Sequence, residues 1–230
     1  MSFEKEINDK IVKLWDEFFI DEHSALQPLF YPKLNKNCLL FVGCNPSFNE
    51  TGFKSILRDT EHVNLDFHNF YLWKNRDQEK IEKATKFAEE AKLKHKYFKK
   101  FREMSKELNL DWEHIDLFFI HETNQKKIEA QVLHKSRKLN EFGRRQIEIS
   151  REAISLIQPQ IVVVANAFAS DIFQQEFSCT FDDNFGCHFF DVNGNKTPVF
   201  FTSMITGQRA LDKGSFIRLK WHIKKITNEF

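Results

Sequence analysis

The chain has 230 residues, 34 Lys and Arg against 33 Asp and Glu, and a formal charge of +1, so it has no basic excess of the kind that announces nucleic acid over a whole surface. Its 26 Phe beside 29% charged residues exclude a disordered chain and imply aromatic cores under a charged surface. No cationic segment leads into an apolar stretch at the N-terminus and no apolar run reaches membrane length; a soluble, cytoplasmic protein with no membrane partner is expected.

Phe3, Ile7, Ile11, Leu14 and Phe18 recur at helical spacing among charged residues, which predicts an amphipathic helix over about 3–20. Pro28 and Pro32 break the chain before Cys38-Leu39-Leu40-Phe41-Val42. That run carries no charge, is too short for an ordinary buried helix and ends in Gly43-Cys44-Asn45-Pro46-Ser47. It reads as a strand covered on both faces, with a turn of small and polar residues at its carboxyl end, where ligands bind in open α/β sheets. Residues 48–75 read as a long loop rich in His, Asn and aromatics.

A charged helical insertion follows over about 76–110, as one long helix or two joined ones, marked by Ile81, Ala84, Ala88, Ala91, Phe98, Phe101, Met104 and Leu108. Lys92 to Arg102 contains cations and aromatics with no acid. This run is either a face for phosphates and stacked bases or a solvated helix face over Phe98 and Phe101. Ile115–Ile120 reads as a second strand leading to His121-Glu122-Thr123-Asn124, and a charged helix is expected over about 137–157. Pro159 ends that helix. Ile161-Val162-Val163-Val164-Ala165 is the clearest strand, Asn166 begins the next turn, and a helix starts near Ala169. Cys187–Val192 and Val199–Thr202 flank Asn193-Gly194 as a reversal into the last strand, which opens into Ser203-Met204-Ile205-Thr206-Gly207-Gln208-Arg209. A terminal helix over about 215–227 carries Arg218, Lys220, Lys224 and Lys225. Strand, helix and strand in this order require right-handed crossovers and a parallel sheet, so the fold class is α/β.

The cysteines at 38, 44, 179 and 187 form no Cys-x-x-Cys pair and have no histidines at zinc spacing; reduced thiols, no metal and no cofactor are expected.

Gly43-Cys44-Asn45-Pro46-Ser47 after the first strand resembles the first motif of the uracil-DNA glycosylase superfamily, Gly-x-(Asp/Asn)-Pro. It is similar above all to the Asn-bearing mismatch-specific and single-strand-selective types. The strand leading to Thr123-Asn124, Pro159 before the Val-rich strand, and a last strand opening into a Gly-containing turn follow in the family's order, over roughly 38–226. The resemblance implies one domain over 1–230, a three-layer α/β/α fold with a central, mostly parallel four-stranded sheet, and a monomer that binds DNA. It implies that Asn45 positions water at the N-glycosidic bond, and that Phe53, or its rival Phe48, stacks on the flipped base. Asn166 would read the base edge. Gly43, Pro46, Ser47 and the loop with Thr206, Gly207, Gln208 and Arg209 would hold the DNA backbone. From the residues alone Asn45 could equally be a turn former, and Asn166 a helix cap.

One departure bears on activity. The family usually has His-Pro-Ser or Asn-Pro-Ser in its last motif, and this chain has Met204, which cannot donate a hydrogen bond to a departing base. The clustered cysteines of the family's iron–sulfur branches are missing. The expected function is a glycosylase on a damaged or deaminated base in DNA. The alternatives are a catalytically silent nucleobase or nucleic-acid binding module on the same fold and, more distantly, an enzyme on free nucleosides or nucleotides.

Overall fold

The computed structural model describes residues 3–47, 50–58, 60, 62, 64–207 and 210–227. Two apolar pentapeptides, β1 (Leu39–Gly43) and β3 (Ile161–Ala165), are buried at every position, since neither has a polar side chain to turn toward water. They pair in parallel, and β2 (Trp112–Asp116) joins the other side of β1 with Gly43 opposite Asp116. Beyond β3 lies β6 (Asn195–Thr202), also parallel. With β4 (Thr180–Asp182) and β5 (Cys187–Val192), both antiparallel, the order is β2-β1-β3-β6-β5-β4. The fold class is α/β.

Six strands replace the expected four. Asn193 and Gly194 both take positive φ (55° and 83°) between the paired Val192 and Asn195, the backbone of a two-residue hairpin turn, so β5 folds back on β6 and β4 extends the edge. Strand β4 is short and mostly exposed, which is why its sequence carries no apolar signal.

The second strand also differs from its expected span of Ile115–Ile120. It begins at Trp112 and ends at Asp116, and Leu117 donates to Gly43 O at 3.1 Å as the chain leaves the sheet. The physical reason is Glu113. Its side chain is buried, and its carboxylate accepts from the backbone N–H of Asn35 and of His114, so a charged residue occupies a strand interior with its acceptors satisfied.

Helices are α1 (Phe3–Phe19), α2 (Glu50–Ile56), α3 (Phe67–Tyr71), α4 (Gln78–Lys94), α5 (Lys99–Leu108), α6 (Gln125–Val132), α7 (Glu141–Ile157), α8 (Ala167–Glu176) and α9 (Lys213–Thr227). The stretch expected as a loop over 48–75 contains α2 and α3. Asp66 caps α3 by accepting from Asn69 N–H, and Phe67, Phe70 and Tyr71 are buried, so short helices form where the sequence looks irregular. Likewise α6 was not legible, although Asn124 caps it by accepting from Lys126 N–H. The expected insertion helix is two helices, α4 and α5, separated by a 3₁₀ turn at Lys96–Phe98.

The chain divides into two compact units: Met1–Leu34, Asn45–His95 and Phe118–Glu152; and Asn35–Cys44, Lys96–Leu117 and Ala153–Phe230. In the first, Trp15 of α1 packs its ring against Phe119 and Phe142, while Asn8 exchanges two hydrogen bonds of 2.9 Å with the backbone of Tyr31. The second unit holds the sheet. One sheet face, with Leu39, Phe41, Val163, Phe189 and Phe200, packs on Phe101 and Met104 of α5 and Ile223 and Ile226 of α9. Phe173 of α8 meets Phe190 and Phe201 from the opposite face.

Candidate functional site

The turn after β1 is organised by one side chain of the first unit. Asn45 Nδ2 donates to the carbonyls of Pro46 at 3.0 Å, Ile120 at 3.0 Å and Glu122 at 2.7 Å. Glu122 N–H in turn donates to Pro46 O at 3.1 Å, and the Glu122 carboxylate accepts from Thr123 and Asn124 N–H, so two loops are locked to each other. Only an N–H can face three carbonyls, which fixes the direction of the amide. Its Oδ1 therefore points away from them and has no hydrogen-bond partner among the described residues. An amide oxygen held this way can accept from a water and aim it; it cannot serve as a strong base. Ser47, two residues on, is exposed.

Phe53 lies in α2, half-buried. Its ring centre is 4.7 Å from that of Phe67, 5.9 Å from Tyr71 and 6.4 Å from Phe87, a cluster of four rings in the first unit. Tyr71 also packs edge-on against His121 at 5.4 Å, and burial raises its phenol pKa. His121 was passed over in the sequence as a strand-end residue. Its Nδ1 lies 2.7 Å from Gln27 O, a carbonyl, so Nδ1 carries the proton, and burial pushes the imidazole down to about 4. The fully buried Gln27 donates through Nε2 to Phe70 O, whereas its Oε1 has no hydrogen-bond partner among the described residues.

In the second unit the polar centre is Asp116, which closes β2 and is 5% exposed. Burial pushes its carboxyl up to about 8, so at neutral pH it is mostly a neutral acid able to donate a hydrogen bond. His114 Nε2 lies 3.9 Å from Asp116 Oδ1. The Tyr97 phenol is raised by burial first and by the Asp116 charge second, with the neighbouring Thr206 side chain acting the other way, although Thr206 Oγ1 is buried and makes no hydrogen bond among the described residues. Thr206 and Asp116 are thus both brought to Tyr97. The sequence did not announce this cluster: Glu113 and His114 precede the expected strand, Asp116 falls inside it, and no local pattern joins them to Tyr97 or Thr206.

The remaining expected site residues fall as follows. Asn166 directly follows β3 and caps α8, its Oδ1 accepting from Ala169 N–H at 3.0 Å, which leaves Nδ2 as its remaining donor. Met204 follows β6, its carbonyl accepting from Leu211 N–H at 2.8 Å, and Gly207 turns the loop at a φ of 94°. Asn45, Asn166 and Met204 therefore come after the carboxyl ends of β1, β3 and β6. Asn124 does not occupy the corresponding place after β2: it caps α6, and Asp116 ends the strand. Phe48, Gln208 and Arg209 lie outside the described residues.

The aromatics interleaved in the basic run turn inward. Phe101 is fully buried and edge-on to Phe41 at 4.5 Å, and Phe98 packs on Trp112 and His114, so these rings are core rather than an open stacking platform. Lys94 and Lys99 pair with Glu90 and Glu103 along their own helices.

All four cysteines are free thiols, with Cys179 pushed up to about 12 and Cys187 to about 11 by burial. Among the described residues no group of three or more His, Cys, Asp or Glu is placed to hold a metal ion, and no helix is long and apolar enough to cross a membrane. Comparison with protein-family models and with curated proteins finds no match for this chain.

Proposed function

We propose that the chain is a DNA glycosylase-like hydrolase on a uracil-DNA glycosylase-like, three-layer α/β/α fold, acting as a monomer on a damaged or deaminated base. The parallel order β2-β1-β3-β6, with helices on opposite sheet faces, supports that fold. The observation that carries the function is Asn45, whose amide is held by three carbonyls just past the carboxyl end of β1. Cleavage of an N-glycosidic bond passes through an oxocarbenium-like sugar. The C1′–N bond breaks with its electron pair leaving on the base, water oxygen bonds C1′, and the water's proton is lost to solvent or to the base. In this scheme Asn45 Oδ1 accepts one hydrogen bond from the water and points its lone pair at C1′, and the exposed Ser47 hydroxyl donates to a phosphate.

Met204 favours a second reading. Its thioether cannot support charge on a departing base, so the same fold would bind a nucleobase or nucleic acid without cleaving it. An excision assay over single- and double-stranded oligonucleotides bearing uracil, hypoxanthine and oxidised or alkylated bases separates the two. Release of at least one base by the wild type, lost about a hundredfold or more in Asn45→Ala with the fold intact, is the expected result. Binding to the same oligonucleotides with no base released would leave the binding module as the function.

A further inference from the structure

The face of α9 that points away from the sheet has no part in the proposed hydrolysis. At 100° per residue, Ile217 and Trp221 lie at the centre of its exposed arc. Lys213, Lys220 and Lys224 flank them on one side and Arg218 and Lys225 on the other, while Ile223 and Ile226 face the core. Ile217 is 51% and Trp221 65% exposed, and the helix contains no acid. Lys220 is bonded to Glu107, but Lys213, Lys224 and Lys225 have no acidic partner among the described residues. Lys225 Nζ lies 5.9 Å from the Trp221 ring centre. The basic surface continues onto α5, where Lys100 sits over the Phe216 ring at the same 5.2 Å as Lys220.

We infer that this face of α9, extended by Lys100, is a binding surface for single-stranded nucleic acid, with the cations on successive phosphates and Trp221 stacked on a base. A ring that is two-thirds exposed is costly to leave in water, and a base is a flat partner that can cover it regardless of sequence. The charge selects a polyanion. A second copy of this chain would bring cations against cations. An anionic bilayer needs a broad apolar face to sink into it, and α9 has committed its apolar side to the core, leaving one aliphatic and one aromatic side chain. The surface needs neither a lesion nor Asn45, so it stands apart from the hydrolase reading.

The test uses a lesion-free oligothymidylate titrated into the full chain, followed by tryptophan fluorescence and by anisotropy of the labelled strand. Of the four tryptophans, Trp15 and Trp73 are buried and Trp112 is half-buried, so stacking on the exposed Trp221 should quench a large share of the solvent-accessible emission. Trp221→Ala should bind about tenfold more weakly and lose that quenching. Lys224→Ala with Lys225→Ala should lower the slope of log affinity against log salt by about 1.4. These positions are exposed, and thermal unfolding should be unchanged in both variants. Wild-type affinity in both variants would overturn the inference, as would no binding by the wild type, or binding only to phosphatidylserine vesicles.

Discussion

The carboxyl group of Asp116 stands where a side chain at Gly43 would have to grow: a Cβ on Gly43 would lie 2.1 Å from Asp116 Oδ1 and 3.0 Å from His114 Nε2. Paired directly across the β1–β2 ladder, the two residues allow a buried acid at the end of β2 only because β1 ends in glycine. Gly43→Ala is therefore expected to displace Asp116 and cost about 1–3 kcal/mol in urea unfolding, more than a glycine-to-alanine change in an open strand. An unchanged midpoint would mean that Asp116 has another rotamer at no cost.

Asp116 sets a pH dependence whose direction follows from its raised pKa. The unfolded chain releases this proton near 3.8 and the folded chain near 8, so between those values the unfolded state gains from ionising while the folded state does not. The stability associated with the bound proton is full below pH 4 and is lost progressively up to pH 8. Asp116→Asn keeps the shape and removes the titration. Relative to wild type, the variant should gain stability by roughly 1.4 kcal/mol per pH unit across the middle of that window, to a total on the order of a few kcal/mol. Denaturant unfolding at pH 4, 6 and 8 measures it; a constant difference would place an ionised Asp116 in the fold.

His121 acts in the opposite sense. Burial lowers its pKa to about 4 from 6.5, so its contribution is present above pH 6.5 and is lost as the pH falls toward 4, where the unfolded imidazole takes a proton that the folded one refuses. The size is about 3 kcal/mol at most. His121→Gln loses the hydrogen bond to Gln27 O and should be less stable at pH 7.5, but the gap to wild type should close toward pH 4.5. Parallel curves for the two proteins would contradict a neutral His121 in the folded chain.

What was legible in the sequence was whatever the core demanded of apolar residues. Strands β1 and β3 and helices α1 and α9 lie within a few residues of where periodicity puts them, because Leu39–Val42, Ile161–Ala165 and the α1 stripe have only one way to leave water. The misreading of β2 has another cause: polar groups satisfied by partners far along the chain. Glu113 is buried because Asn35 N–H bonds its carboxylate from 78 residues away, and nothing local to Glu113 announces that. The cluster of Tyr97, His114, Asp116 and Thr206 is assembled from separate segments in the same way, while the exposure of Trp221 depends on which face of α9 the sheet takes. At Asn166 two readings stood open, and the cap on α8 is made.

The sharpest test of the Asn45 assignment is Asn45→Asp. A carboxylate at this position could position water in the way proposed for Asn45, so on chemistry alone the change could be expected to preserve or raise activity. The surroundings argue otherwise. Nδ2 faces the carbonyl oxygens of Pro46, Ile120 and Glu122, and a carboxylate oxygen in its place would confront three acceptors with no donor. It would have to bind a proton, as a buried acid does, or break the junction between the two loops. Asn45→Asp is thus expected to be less stable than wild type by about 2–4 kcal/mol at pH 7.5, with part of the loss recovered at pH 5, and to excise no faster than Asn45→Ala. Urea unfolding at the two pH values and single-turnover excision measure both halves. Higher excision by the aspartate variant at undiminished stability would show that the turn can re-form around an anion, and that the three carbonyls do not dictate the identity of this residue.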